Sequence, residues 1–425
     1  MTVKSIRLRG HDMRKIPFKF EYLRSISPGV WGVSIAMMLI AISTSMTFSI
    51  SPFFVTKVLG LSMISMGMIE GLSEGLSQIS KLLSGYTGDL FKRKKPPLML
   101  GAILATISKP LFILAAGPAA VIASKAVERI SNGIMATPRD AYVAEAACPR
   151  TKGKSLGLMM SLKTIGCTIG SVTIGALMFL TEDYRTLLWI GFVPCILSVF
   201  VLMKYMPEQV DAAPTVAKKE KQKLCLADFK ELKFDYWSLI FVSTLFMCAR
   251  FSDGFLILRL SEMGAPTWLS ASTIGIFNLI SAFCCFPIGN LSDKFDRSRI
   301  LYFSFITLVL SNLCFVSSSL SIGLLGVVCW GAQRGTSQVL FSAIIADLAP
   351  KKIIGTALGI FYLITGVISV VAGAAAGHLA DKALEYAFWF GLAVSLSSLL
   401  FLFIRNEFLM KRTGTPPKEA TLAGV

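Results

Sequence analysis

Ionisable side chains are sparse in this chain, and several lie inside long apolar runs where a charge is costly and is kept for a purpose. Glu70, Glu74 and Lys81 are spaced by four and by eleven, so a helix puts all three on one face. Two carboxylates one turn apart in a low-dielectric medium resist double ionisation, which makes Glu70 and Glu74 candidates to share and carry a proton. The same carboxylates also read as structural partners of Lys81 or of a cation on a neighbouring helix. A second run holds Lys125, Glu128, Arg129, Asn132 and Asp140, with Lys125, Asn132 and Asp140 near the face of Arg129. Lys163, Asn278 and Arg334 add polar groups to further runs, and with Asn132, Arg250 and Asp253 they are candidates to line a solute cavity. Arg250 and Asp253 are three apart, the spacing of an ion pair along one helix. Away from the run ends, the cations Lys81, Lys109, Lys125, Arg129, Lys163, Arg250 and Arg334 outnumber the anions Glu70, Glu74, Glu128 and Asp253. That excess suits an anionic solute, although cations near run ends also snorkel to the interface.

The elements that must hold these groups follow from composition. The 425 residues are 54% hydrophobic and only 16% charged, against about 25% charged in soluble proteins, and the mean hydropathy is +0.67. Apolar runs long enough to cross a bilayer as helices recur along the whole chain. They lack the strict alternation of barrel strands, so the fold class is an all-α polytopic membrane protein. Twelve spans are predicted, near 31–55, 62–86, 97–117, 120–143, 154–178, 186–204, 236–257, 269–289, 300–318, 321–346, 355–377 and 386–404. They divide the chain into an N-terminal arm, 1–30, a six-helix bundle, 31–205, a basic linker, 206–234, a second six-helix bundle, 235–405, and a tail, 406–425. Part of the linker, KQKLCLADFKELKFDYW, has the pattern of an amphipathic helix lying on the membrane surface.

The net charge of +17 is concentrated in the arm, the linker, the tail and alternate loops. This is a topology signal rather than a nucleic-acid surface, and it puts both termini in the cytoplasm. The opposite loops hold little beyond Lys57, Arg185, Arg259 and Lys382. No CxxC pair, metal-ligand spacing, nucleotide loop or nucleophile elbow is present, so no cofactor and no enzyme chemistry is expected.

The chain also repeats itself. Gly85-x-x-x-Asp89-x-x-x-Arg93 after the second span returns as Gly289-x-Leu291-x-Asp293-Lys294-x-x-Arg297 after the eighth. Gly133, Glu145, Gly153 and Gly157 match Gly335, Asp347, Gly355 and Gly359, each 202 residues later. Two homologous six-span halves are a known transporter plan. With these motifs the chain resembles the major facilitator superfamily, whose 2–3 loop signature is G-x-L-x-D-x-x-G-R-[RK]. GNLSDKFDRSR is a good copy; GYTGDLFKRKK keeps Gly85, Asp89, Arg93 and Lys94 but has Leu90 and Lys92 at two signature positions. The family's fourth-span motif R-x-x-[QN]-G is matched by Arg129, Asn132 and Gly133. ATPRDAYVAEA and FSDGFLILRLSEMGAP are similar to a prokaryotic branch of the family that is mostly uncharacterised.

The resemblance implies a monomeric secondary transporter of the inner membrane, moving a small organic solute with protons by alternating access. It implies a cytoplasmic gate of Gly85, Asp89, Arg93, Lys94 and Glu145, with Gly289, Asp293, Lys294, Arg297 and Asp347 as its second copy. It ties Arg129 to proton coupling or to solute charge. A carboxylate metabolite or siderophore fits the cation excess. Proton-antiport export of amphiphiles is the alternative, since Gly166, Gly170 and Gly175 resemble an exporter motif whose proline is here Ser171. A non-transporting receptor needs no doubled gate. Asp293→Asn is expected to abolish transport in vesicles while membrane insertion, followed by fractionation, is unchanged; normal flux in that variant refutes the gate.

Overall fold

The computed structural model describes residues 26–90, 94–147, 152–181, 183–206, 232–294, 297–350 and 353–413. Most of the arm and the linker, including its expected amphipathic helix, and the end of the tail lie outside the described residues. The N-terminal half comprises α1 (Pro28–Phe53), α2 (Met63–Leu90), α3 (Lys95–Ile113), α4 (Pro118–Ala146), α5 (Lys152–Leu180) and α6 (Tyr184–Tyr205). The C-terminal half comprises α7 (Phe234–Ala249), α8 (Asp253–Glu262), α9 (Thr267–Lys294), α10 (Arg297–Val316), α11 (Leu320–Leu348), α12 (Ile354–Ala380) and α13 (Leu384–Thr413).

Local chemistry sets the ends. Ser27 caps α1 by accepting from Val30 N at 3.4 Å, and Pro28 fills the first turn, where no donor is needed. Pro52 removes a donor near the other end; the helix continues through a π-helical turn, Phe54–Val58, and Thr56 returns a 2.7 Å hydrogen bond to the Pro52 carbonyl. Asp183 caps α6, accepting from Thr186 Oγ1 at 2.5 Å, Arg185 N at 3.1 Å and Thr186 N at 3.4 Å. The Thr186 hydrogen bonds hold its carboxyl below the usual carboxylate range.

The expected seventh span, 236–257, is a single rod in the sequence reading and two helices in the structure. At its break Arg250 takes φ −97 and ψ 66, and Ser252 restarts the helix by accepting from Gly254 N at 3.0 Å. Among the described residues, nine helical segments are long and apolar enough to cross a membrane by length and composition. The helices α2, α4 and α11 fall outside that set, and they carry Glu70, Glu74, Lys125, Glu128, Arg129 and Arg334. Their polar residues point into the protein, shielded from lipid by the other helices.

The halves meet chiefly through α2 against α12 and α5 against α9, with α1 touching α8 and α9. Backbones touch along the first pair. A Cβ on Gly67 would lie 2.0 Å from the Gly373 carbonyl oxygen, and one on Gly71 2.6 Å from that of Ser369. Gly75 meets Gly366, and Gly377 meets Met63, at neighbouring turns. In the second pair Gly175 abuts Trp268 and Ser272, and Gly275 abuts Thr168 and Ser171. These levels run from the middle of each helix to the end remote from the 2–3 and 8–9 loops. The molecule is therefore closed at the end opposite its basic loops. Across that closure Met63 N, at the start of α2, donates to Asp381 Oδ1 at 2.7 Å, so a carboxylate of one half caps a helix of the other.

Losing a capping carboxylate costs about 1 kcal/mol, a roughly fivefold change in a two-state equilibrium. Asp381→Ala is therefore expected to raise the population with separated ends by about that factor. Spin labels at positions 57 and 382 measure this by the longer-distance fraction; an unchanged distribution refutes it.

Candidate functional site

Successive residues of a helix point about 100° apart, so the charges of α4 face different neighbours. Lys125 turns to α2, where Nζ lies 2.5 Å from Glu70 Oε1; both side chains are less than a tenth exposed. Ser51 of α1 also donates to Glu70, at 3.4 Å. Glu128 turns away, taking Lys109 Nζ of α3 at 2.6 Å and Thr44 Oγ1 of α1 at 2.9 Å. Arg129 donates from Nε to Ser73 Oγ of α2 at 2.9 Å. Buried charges are thus matched between helices.

The C-terminal half repeats the device with other elements. Asp253, first residue of α8, accepts from Arg334 Nη1 of α11 and from Trp330 Nε1 at 2.8 Å. The Arg334 guanidinium also stands 5.4 Å from the Phe277 ring centre. The expected ion pair between Arg250 and Asp253 is not formed. The helix breaks between them, so the three-residue spacing no longer brings their side chains together, and Asp253 is held by α11. Among the described residues the hydrogen bonding of Arg250 is a 3.9 Å contact from Nη1 to Met247 Sδ.

Glu70, Glu74, Arg129, Arg250, Asp253 and Arg334 all face one cavity between the halves. Its apolar wall is Phe48, Met247 and Phe251. The structure brings together all three residues expected to couple protons and three of the six expected at the solute. Asn132 and Asn278 are half-buried and Lys163 is on an exposed face of α5; these three lie outside the lining. Phe48, Met247, Phe251, Ser252 and Ser369 went unnoticed in the sequence, because an aromatic or serine in an apolar run carries no sign of its facing. Trp330, which holds Asp253, left no signal either. Lys109 and Glu128 were visible as charges inside spans, but not as partners.

Of the gate, Lys94 Nζ lies 3.7 Å from Glu145 Oε1, and Arg297 Nη1 lies 2.6 Å from Asp347 Oδ2. Each pair ties a basic loop to the end of α4 or α11 within its own half. The side chains of Asp89, Asp293 and Lys294, the surroundings of Gly85 and Gly289, and the whole of Arg93 lie outside the described residues. Arg259, counted among loop charges in the sequence, lies inside α8 and is 5% exposed. It donates to the Phe315 carbonyl at 3.0 Å and pairs with Glu262 at 2.6 Å and Glu385 at 3.5 Å, capping the end of α10. Gly166 and Gly170 abut the Met38 and Ile42 carbonyls, so these motif glycines are close-packing sites between α5 and α1. Among the described residues no group of three or more His, Cys, Asp or Glu is placed to hold a metal.

Removing one partner of a buried ion pair strands the other and costs about 3–5 kcal/mol. Lys125→Met is expected to lower unfolding stability by that order, and adding Glu70→Met to recover most of it. Denaturant titration of the purified variants tests this; equal stability of the single variant and wild type refutes the pairing.

The Major Facilitator Superfamily model matches residues 33–332 and 271–423 of this chain. An uncharacterized MFS-type transporter of Methanocaldococcus jannaschii is 29% identical over 397 residues, covering 90% of this chain and 96% of its own. Among solved structures, the nucleoside transporter NupG superposes with a TM-score of 0.72 at 13% identity, covering 89% of this chain and 98% of that one. A POT family transporter in complex with 5-aminolevulinic acid superposes with a TM-score of 0.74 at 12% identity, covering 93% and 100%. At such identities the structures support the fold, while the family match spans nearly the whole chain. The chain is a multi-pass membrane transporter, not an enzyme, and belongs to the Major Facilitator Superfamily.

Proposed function

We propose that this transporter moves a small organic anion together with a proton, by alternating access around the central cavity. The observation that carries the reading is Arg250: its guanidinium faces the cavity, while Asp253, its nearest carboxylate in sequence, is taken by Arg334 and Trp330. Counting Lys125 with the lining, four positive groups (Lys125, Arg129, Arg250, Arg334) stand against three negative ones (Glu70, Glu74, Asp253). An anion binding at Arg129 and Arg250 balances that excess from both halves at once.

Glu74 is the group best placed to carry the proton. Glu70 is committed to Lys125; Glu74 accepts from Gln78 Nε2 at 2.7 Å, lines the cavity, and exerts its charge on Arg250 and Arg334. A solute anion beside Glu74 disfavours its ionised form, so solute and proton favour each other's binding reciprocally. Arg129 completes the coupling by touching α2 through Ser73.

We place the basic loops in the cytoplasm from their Lys and Arg, which makes the closed end extracytoplasmic and the state inward-facing. The rocking units are the bundles 31–205 and 235–405, joined by the linker 206–234. One chain supplies both halves, so a monomer in the inner membrane is sufficient. Lys94 with Glu145 and Arg297 with Asp347 are the described parts of the cytoplasmic gate, which engages when the halves rock the other way.

In proteoliposomes under an imposed pH gradient, with a panel of carboxylates, Glu74→Gln is expected to keep solute exchange but lose gradient-driven accumulation. Accumulation with wild-type pH dependence in that variant overturns the assignment. Outward rather than inward movement with the gradient selects the antiport alternative.

A further inference from the structure

We infer that the solute is an organic monoanion with an apolar body, its carboxylate held by Arg250 and Arg129 and its body lying between Phe48 and the Met247–Phe251 wall. The inference rests on the anion reading above and sharpens it to a substrate class.

The charge comes first. The cavity has one more positive than negative group when the Lys125–Glu70 pair is included. The solute enters before Glu74 takes its proton; in that state one negative charge brings the cavity to neutrality, and in a low-dielectric site a second is repelled by the ionised Glu74 and by Asp253. A zwitterion fits less well, because its ammonium would have to compete at Glu74 with Arg250 and Arg334, whose charges already act there.

The donors are free on two sides of the cavity. Arg129 uses Nε on Ser73, which leaves its Nη groups to a ligand. Among the described residues Arg250 donates to the soft sulfur of Met247, a weak acceptor. Guanidinium forks are suited to planar carboxylates, which accept two parallel hydrogen bonds.

The apolar wall is built and rigid. Phe251 follows Arg250 directly at the helix break, so anion site and wall are fixed by the same turn. Its ring is held by Phe388 at 5.4 Å, Phe255 at 5.6 Å and Trp330 at 6.4 Å. Trp330 thus fixes both the wall and Asp253. Phe48 faces the cavity from the other half, with Lys125 Nζ 5.5 Å from its ring centre. Phe251 is 5% exposed and backs the wall, while Phe48 and Met247 are part-buried and offer surface that an apolar body covers, at about 25 cal/mol per Å², and a small hydrated anion does not.

Calorimetric titration of the purified full chain in detergent tests this with five probes: phenylacetate, phenylacetamide, acetate, phenyl phosphate and phenylalanine. Phenylacetate is expected to bind at least tenfold more tightly than the other four. Arg250→Gln should erase its advantage over phenylacetamide, and Phe251→Ser its advantage over acetate, each leaving the other preference in place. Tightest binding of phenyl phosphate or phenylalanine, lost in Arg250→Gln, overturns the monoanion class while the anion reading stands. Tightest binding of phenylacetamide, unaffected by Arg250→Gln, overturns both. Binding of none of the five overturns the inference, and flux of other anions in proteoliposomes then decides the wider reading independently.

Discussion

A charge placed among lipid-shielded helices has to be matched where it stands, because no water is at hand to solvate it. That constraint organises this transporter. Lys125 is matched by Glu70, Lys109 by Glu128, and Arg334 by Asp253, each across helices rather than along one. The pairs lock α4 to α1, α2 and α3, and lock α11 to α8. Each half is thereby cross-braced by its own charges, and polar helices are kept to the interior.

Arg129 and Arg250 differ from these pairs. They come from opposite halves, face the same space, and among the described residues hydrogen bond to a serine and a thioether. The halves themselves touch at the glycine levels of α2 and α12, where the backbones are too close for any side chain.

The break between α7 and α8 links these features. An unbroken helix would have turned Arg250 and Asp253 toward each other and neutralised both. The non-helical Arg250 and the Ser252 cap redirect them, Asp253 to Trp330 and Arg334, Arg250 to the cavity. The restarted helix α8 is fully buried from Asp253 to Leu260 and is pinned at its far end by Arg259. A single local departure from helix geometry therefore separates a structural carboxylate from a cavity-facing guanidinium.

Hydrophobic runs, basic loops and the repeat at Asp89 and Asp293 were enough to fix class and family from the residues alone, because these depend on transfer energies and on self-similarity along the chain. The costly interior charges were legible too: Glu70, Glu74, Arg129, Arg250, Asp253 and Arg334 stand out as residues that hydrocarbon does not tolerate. Their partners were not. Whether Glu70 meets Lys81 or Lys125, and whether Asp253 meets Arg250 or Arg334, depends on how helices far apart in sequence are rotated against one another. Helical spacing gives the face of each helix but not what that face meets. Phe48, Phe251 and Trp330 became part of the site only through packing, since an aromatic ring in an apolar run is equally suited to lipid, core or cavity until its neighbours are placed.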